Sequence, residues 1–347
     1  MTELNFGSSL TVGVEEELMI LDPQTHAQQP ASHVLIPAVP TERGQVKTEL
    51  FQSVIELNTD VCATPAEAAS VLRGLRQATI GAATELGFAI AAAGSHPFDI
   101  ASEQAIAPDP HYTKFVEYAG PTARRQGVSG LHVHVGMSDA ETCLHVIESI
   151  LPWLPLVLAL SANSPWFEGR VTGMMSTRAE ILSLLPRHGA PPAFATWREW
   201  EKLVQTFVAA GVVDNYNAIH WDVRPHPSYG TLEVRMPDQP TAIEVSIRFV
   251  ELVHSLCRWA LATDASAPVS RVVYDQNRWA ASRFGPRAML IHPNEDRAAS
   301  VAELYGELVG LIGVDPGFDG TTCEGDGQLE VGAPHEVAAD LVTRTVA

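Results

Sequence analysis

Four separated stretches of this 347-residue chain carry acids, histidines and arginines at the two-residue spacing of a β-strand. In Leu10–Leu21 (LTVGVEEELMIL), Gly13, Glu15 and Glu17 fall on one face, and Val12, Val14 and Glu16 on the other. Lys47–Cys62 (KTELFQSVIELNTDVC) brings Glu49 and Glu56, with a strand predicted over Ser53–Asn58. Ser129–Met137 (SGLHVHVGM) opposes His132 and His134 to Leu131, Val133 and Val135. Ile219–Pro237 (IHWDVRPHPSYGTLEVRMP) reads as two alternating runs around a Pro/Gly-rich turn. His220, Asp222 and Arg224 share the polar face of the first run, and Thr231, Glu233 and Arg235 that of the second. Alone, each is an ordinary half-buried strand with a solvated outer face. Together they place Glu15, Glu17, Glu49, Glu56 and Glu233 on one sheet face, which demands counter-charge. Oxygen-rich ligation with few imidazoles suits Mg²⁺ or Mn²⁺ rather than zinc. Several such ions together commonly clamp a nucleotide polyphosphate.

The elements that must position these residues describe an α+β fold. A helix opens at Thr64, with Pro65 at its first position and Glu67 completing a capping box, and Gly87 closes it. Phe88–Ala93 is a buried strand ending in the turn Gly94-Ser95-His96-Pro97. His96 is more readily a structural turn residue than a substrate contact. A further helix is expected from Ser138, with Glu141 completing its capping box. Ile150–Ala162 is the most apolar stretch, but it is short for a bilayer span and carries Pro152 and Pro155, so a buried helix is expected. Residues 161–193 form a long Ser/Gly/Pro/Arg-rich loop, a candidate lid or binding loop. Trp197–Ala210 is an amphipathic helix, and helices over 241–263, 269–283 and 299–312 are expected behind the sheet. Residues 22–46 read as a long connection and the Gly- and Asp-rich 314–334 as a loose tail. With no internal repeat or linker, 1–347 reads as a single domain.

Twenty-two basic against 41 acidic residues give a formal charge of −19, which argues against nucleic acid or an anionic membrane as partner. Cys62, Cys143, Cys257 and Cys323 are far apart and form no CxxC, as expected of reduced thiols in a cytoplasmic protein. No basic-then-apolar leader is recognisable at the N-terminus.

The motifs VGVEEEL, TEL…IEL with TDVC, GSHPF, GLHVHVGM, SANSP, HWDVRPHP and GTLEVRMPD, in this order, resemble the YbdK-type carboxylate–amine ligases, the type 2 glutamate–cysteine ligase group. The resemblance runs from about residue 10 to about residue 290. It implies a curved, largely antiparallel sheet forming a funnel-like active site with helices outside, a catalytic architecture related to glutamine synthetase. It implies an ATP-dependent ligase using Mg²⁺, or Mn²⁺, to join an amino-acid carboxylate to an amine, most simply the γ-carboxylate of glutamate to cysteine, with release of ADP and phosphate. By motif position Glu15, Glu17, Glu49, Glu56, His132 and Glu233 would bind metal, and Arg235 would contact the transferred phosphoryl. His134 and Arg224, on the same faces, would bind substrate or nucleotide. Glu16 is on the wrong face, and its replacement by glutamine is expected to be near silent for cation binding and turnover. A homodimer or higher assembly is suggested. The pattern departs from the family after about residue 313, where the region is shortened to TTCEGDGQLEVGAPHEV. Three other readings remain: a metal-dependent amidohydrolase using the HxH, a catalytically silent binding protein of the same fold, and a ligase for a different amine or carboxylate.

Overall fold

Seven antiparallel strands carry the polar motifs. They are β1 (Val12–Leu21), β2 (Gln45–Thr48), β3 (Val54–Asn58), β4 (Ala89–Ala91), β5 (Leu131–Gly136), β6 (Val223–His226) and β7 (Thr231–Val234). The computed structural model describes residues 4–263 and 269–347. Within the sheet the order is β6-β7-β5-β1-β3-β2, with β4 also paired to β1. The register sets Glu17 opposite Glu56, Glu15 opposite His132, and Glu233 opposite both His134 and Arg224. Directly paired residues share a sheet face. Four stretches far apart in sequence therefore put their polar groups on one surface.

The other face is the main core. Val12, Val14, Leu18 and Ile20 of β1 join Leu131, Val133 and Val135 of β5 and Leu232 and Val234 of β7, all buried. Helices α1 (Pro65–Glu85), α3 (Ala140–Ile150), α4 (Leu154–Ser161) and α7 (Ile243–Leu261) supply the opposing side chains, with α2 (Pro110–Ala119), α5 (Thr177–Leu182) and α6 (Trp197–Ala209) elsewhere in the fold. Thr64 caps α1 through the Glu67 amide, and Gly87 follows at φ +81°, as expected. The cap of α3 is Asp139, which accepts from the Thr142 amide; Glu141 instead accepts from Trp197 N at 3.0 Å, so the box expected at Ser138 is not formed. The run Ala140–Ser161 is long and apolar enough for a membrane span, but 83% of its most apolar window is buried inside the protein, so it is a core element.

One expectation is corrected: residues 314–334, read as a loose tail, are built into the fold, as is the chain beyond them. Following α8 (Arg271–Phe284) and α9 (Val301–Ile312), helices α10 (Glu324–Val331) and α11 (Pro334–Val346) occupy this region. Glu324 accepts from the amides of Thr241 and Ala242 at 2.8 and 2.9 Å, and Thr345 Oγ1 accepts from Ala92 N on the edge of β4. Val337 and Leu341 of α11 join Met19, Leu21, Leu50, Phe51, Ala91 and Ala93 in a second, smaller core. Met19 and Leu21 continue the strand face that begins with Glu15 and Glu17. The tail thus seals the apolar end of the face whose other end is acidic.

Glu16 lies off the acidic face, as its strand position implies, and has a structural role on the other side. Its carboxylate is fully buried in the main core and takes Arg76 of α1 in a bidentate pair at 2.5 and 3.0 Å, together with Gln239 Nε2 at 2.9 Å and Ser246 Oγ at 2.5 Å. Arg76 also donates to Thr241 O at 2.7 Å. Removing one charge of such a pair leaves the other buried without compensation. Glu16→Gln is therefore expected to lower the stability by about 3 kcal/mol or more. A urea melt would read this as a lower midpoint at unchanged slope. An unchanged midpoint would mean that the pair contributes nothing to stability.

Candidate active site

A cavity of about 490 Å³ opens over the polar sheet face. Every residue given a site role from the sequence except His134 lines it: Glu15, Glu17, Glu49, Glu56, His132, Arg224, Glu233 and Arg235. His134 is buried directly beneath, its Nε2 3.4 Å from Glu15 Oε1. Asp222 does not share this face. The polypeptide breaks between His220–Trp221 and β6, and Asp222 turns to accept from Tyr274 Oη at 2.7 Å and Arg278 Nε at 2.8 Å. His96 is a structural turn residue, its Nε2 2.9 Å from His26 O and its Nδ1 accepting from the Asp99 amide.

The ligand atoms form three overlapping groups, each with its atoms within 4.8 Å of one another: Glu17, Glu49 and Glu56; Glu15, Glu56 and His132; Glu15, His134 and Glu233. His132 Nδ1 lies 3.0 Å from Glu15 Oε2, and His134 Nδ1 2.9 Å from Thr231 Oγ1. A proton on each Nδ1 satisfies these contacts and leaves a lone pair on each Nε2. Both Nε2 atoms are buried without a hydrogen-bond partner. An imidazole oriented through Nδ1, with a free Nε2 facing carboxylates, is the arrangement a divalent cation uses. The donor set is rich in oxygen, as Mg²⁺ or Mn²⁺ requires. The residues therefore fit such ions. The site includes His134 in a donor group, where its sequence suggested a substrate contact.

Charge is distributed unevenly across the cavity. Glu233 is held by two guanidiniums, Arg224 Nε at 2.6 Å and Arg235 Nη1. Burial pushes its carboxyl up, but Arg224 and Arg235 more than offset this and hold it well below the usual range. Glu15 is likewise held low against burial by His134 and His132. At the opposite edge the compensation falls short. Burial and the Glu17 charge raise Glu49 to about 7, and burial with Glu15 and Glu49 raises Glu56 well above a normal carboxylate. Among the described residues the Glu49 carboxylate accepts only the Leu50 amide, and Glu56 the Asn58 side chain.

The upper wall comes partly from the 161–193 region, read from the sequence as a candidate lid or binding loop, and partly from segments to which the sequence reading assigned no site role. Tyr112, Lys114, Phe115 and Tyr118 of α2 line the cavity, as do Leu182, Leu185 and Arg187 from the 161–193 region and Val212 to Asn215 beyond α6. Helix α2 was recognisable: Asp109 caps it, Pro110 opens it and Gly120 follows at φ +55°. The 161–193 segment forms wall rather than a bare loop, with a short hairpin and α5 inside it. A second cavity of about 640 Å³ lies between α7 and the C-terminal helices. Its Arg344 is paired with Glu324 and Asp340.

The glutamate–cysteine ligase family 2 model matches residues 11–314. The "Putative glutamate--cysteine ligase 2-3" of Rubrobacter xylanophilus is 37% identical over 333 residues, covering 95% of this chain and 91% of that protein. The "Putative glutamate--cysteine ligase 2" of Herpetosiphon aurantiacus is 36% identical over 306 residues, covering 86% and 79%. Among solved structures, a glutamate–cysteine ligase from Francisella tularensis in complex with AMP superposes with a TM-score of 0.66 at 13% identity, covering 98% of this chain and 89% of that one. A bifunctional glutathione synthetase from Pasteurella multocida gives 0.67 at 12% identity, covering 98% and 52%. These structures share the fold, and the sequence matches run through every strand that bears an acid of the cavity. The chain belongs to glutamate–cysteine ligase family 2 and is an ATP-dependent carboxylate–amine ligase of the glutamate–cysteine ligase type.

Proposed function

We propose that this ligase joins the γ-carboxylate of glutamate to the amine of cysteine through an acyl phosphate, releasing ADP and phosphate. The observation that carries the chemistry is the convergence of five carboxylates and two lone-pair imidazoles at a single cavity, with the partly exposed guanidinium of Arg235 beside them. Cysteine and glutamate as the pair rest on family membership.

A carboxylate resists attack by an amine because its oxygen leaves poorly. Transfer of the γ-phosphoryl of ATP to that oxygen converts it into a good leaving group. Nucleophilic attack by the amine on the acyl carbon then forms the amide and expels phosphate. The transferring phosphoryl spreads negative charge over its equatorial oxygens, so the protein acts by positioning and by opposing charge. Glu15, Glu17, Glu49, Glu56, His132, His134 and Glu233 would hold Mg²⁺ or Mn²⁺, which when bound supplies positive charge to the polyphosphate. Arg235 would direct its guanidinium at the phosphoryl. Arg224 is spent on Glu233 and on the carbonyls of Asn217 and Ile219, so its role is to hold Glu233 in place. The acid-bearing strands would orient the reacting groups, and α2 with the 182–187 segment would limit water entry above them.

Glu56→Gln and Glu233→Gln are near-isosteric and should each cut turnover by about 10–100-fold with a matching loss of Mg²⁺ or Mn²⁺ affinity. Titration of the metal alone reads the second effect. His134→Asn should weaken the metal as much as His132→Asn does; intact metal binding with altered KM would instead make His134 a substrate contact. Arg235→Lys should lower kcat by about 100-fold while ATP still binds, because lysine lacks the planar fork.

Incubation of the wild-type enzyme with ATP, Mg²⁺ and a panel of amino acids and amines, read by mass spectrometry, tests the reaction itself. Glutamate labelled with heavy oxygen in its γ-carboxylate should deliver one labelled oxygen to the released phosphate. AMP and pyrophosphate as products would mean an acyl adenylate and would sink the assigned roles. Another amine in the product would keep the chemistry and replace cysteine.

A further inference from the structure

Beside Arg235 lies a buried polar layer to which the reaction assigns no part. Arg178, the second residue of α5, borders the cavity but is 3% exposed. Its Nη1 donates to Met236 O at 3.1 Å and its Nη2 to Arg235 O at 3.0 Å. The same guanidinium lies against Gly130, where an added Cβ would come within 2.1 Å of Nη2. The Gly130 amide in turn donates to Glu17 Oε2 at 2.6 Å. One cation therefore touches the backbone of the phosphoryl-facing arginine and the glycine that fixes a site carboxylate.

The layer extends to Asp238, which accepts from Ser164 Oγ at 2.6 Å, Ser176 Oγ at 2.7 Å and Asn163 N at 2.9 Å. Ser164 Oγ also accepts from the Arg178 amide at 3.1 Å. An added Cβ on Gly94 would come within 2.7 Å of the Asp238 carboxyl carbon. The motifs GSHPF, SANSP, GLHVHVGM and RMPD, none of which owes all its residues to the cavity, meet here. On the other side of residue 235, the Arg235 amide donates to Asp222 O at 2.9 Å, and Asp222 is itself held by Tyr274 and Arg278. Both peptides flanking Arg235 are thus clamped.

We propose that Arg178 is a positioning residue for phosphoryl transfer: seated against Gly130, it ties the carbonyls of Arg235 and Met236 and so sets the aim of the Arg235 side chain. The proposal rests on the role given to Arg235 above. Hydrogen bonds from a charged donor to buried carbonyls are among the stronger ones, and a displacement of about 1 Å at a reacting group can cost about 100-fold in rate. Gly130 is part of the device, because any side chain there would displace the guanidinium.

The test is a double-mutant cycle on kcat with Arg178→Lys and Arg235→Lys, with KM for ATP and thermal melting measured on every variant. Arg178→Lys should lower kcat by about tenfold or more, with KM for ATP within about threefold of wild type. In the Arg235→Lys background the same change should cost less than about threefold, because the group it aims is already impaired. Gly130→Ala, which leaves Arg178 in the chain, should reproduce the loss and the non-additivity, and it carries the test if Arg178→Lys does not fold. Equal losses in both backgrounds would overturn the proposal, as would a loss confined to KM, which would make Arg178 a substrate contact. If Arg235→Lys alone leaves kcat unchanged, the phosphoryl role of Arg235 falls, and this inference falls with it.

Discussion

The mutual repulsion of five carboxylates on one sheet face is the constraint around which this molecule is built. Two like charges a few ångströms apart and away from water repel by several kcal/mol. The protein relieves that load on one side only. Arg224 and Arg235 neutralise Glu233, and the two histidines face Glu15. Among the described residues, no arginine or lysine lies within ion-pairing distance of Glu17, Glu49 or Glu56, and the imidazole of His132 is 3.8 Å from Glu17. The raised Glu49 and Glu56 carboxyls are the measure of what is left over. A metal-rich edge and an arginine-rich edge are what a reaction needs when it must hold a polyphosphate and meet a moving phosphoryl at once.

Sheet register makes the arrangement possible without any single stretch carrying the site. The acids of β1, β3 and β7 are spread over more than 200 residues of sequence, yet each faces a partner on the neighbouring strand. The same strands place Val12, Val14, Leu131, Val133 and Leu232 on the opposite face, where burial of aliphatic side chains stabilises the sheet. A one-residue slip of β5 would exchange His132 and His134 for Leu131 and Val133. Register is therefore set by the core and inherited by the site.

The strands and their faces were legible because alternation is a local property, and most of the expected site residues lie in one cavity for that reason. What was not legible depended on partners distant in sequence. Arg76 belongs to a helix whose neighbours Leu72 and Leu75 mark an apolar stripe, and nothing local says that it meets Glu16. Asp222 follows the alternation of its run on paper, but the strand breaks there and Arg278 takes it. The Gly and Asp content of 314–334 reads as loose, although Phe318 packs on the main core and Val331 on the second. Helix α2 carries local signals in Asp109, Pro110 and Gly120 that the sequence reading did not take up, and its place above the acids was out of reach of local pattern.

The middle acid of the run Glu15-Glu16-Glu17 joins these themes. Its neighbours on either side project into the crowded cavity and push against the other carboxylates. Glu16 projects the other way and is anchored by Arg76, Gln239 and Ser246. Gln239 closes a loop, because its Oε1 accepts from the Glu17 amide at 3.0 Å while its Nε2 donates to Glu16. The strand is therefore gripped from behind at the residues where its front face carries the electrostatic load. A hydrophobic residue at position 16 could fill the space, but it could not bind Arg76 and Gln239 and through them tie α1 and the 239–246 segment to this part of β1. The ion pair in the core and the acids in the cavity are two sides of one strand, and the first holds the second in register against its own repulsion.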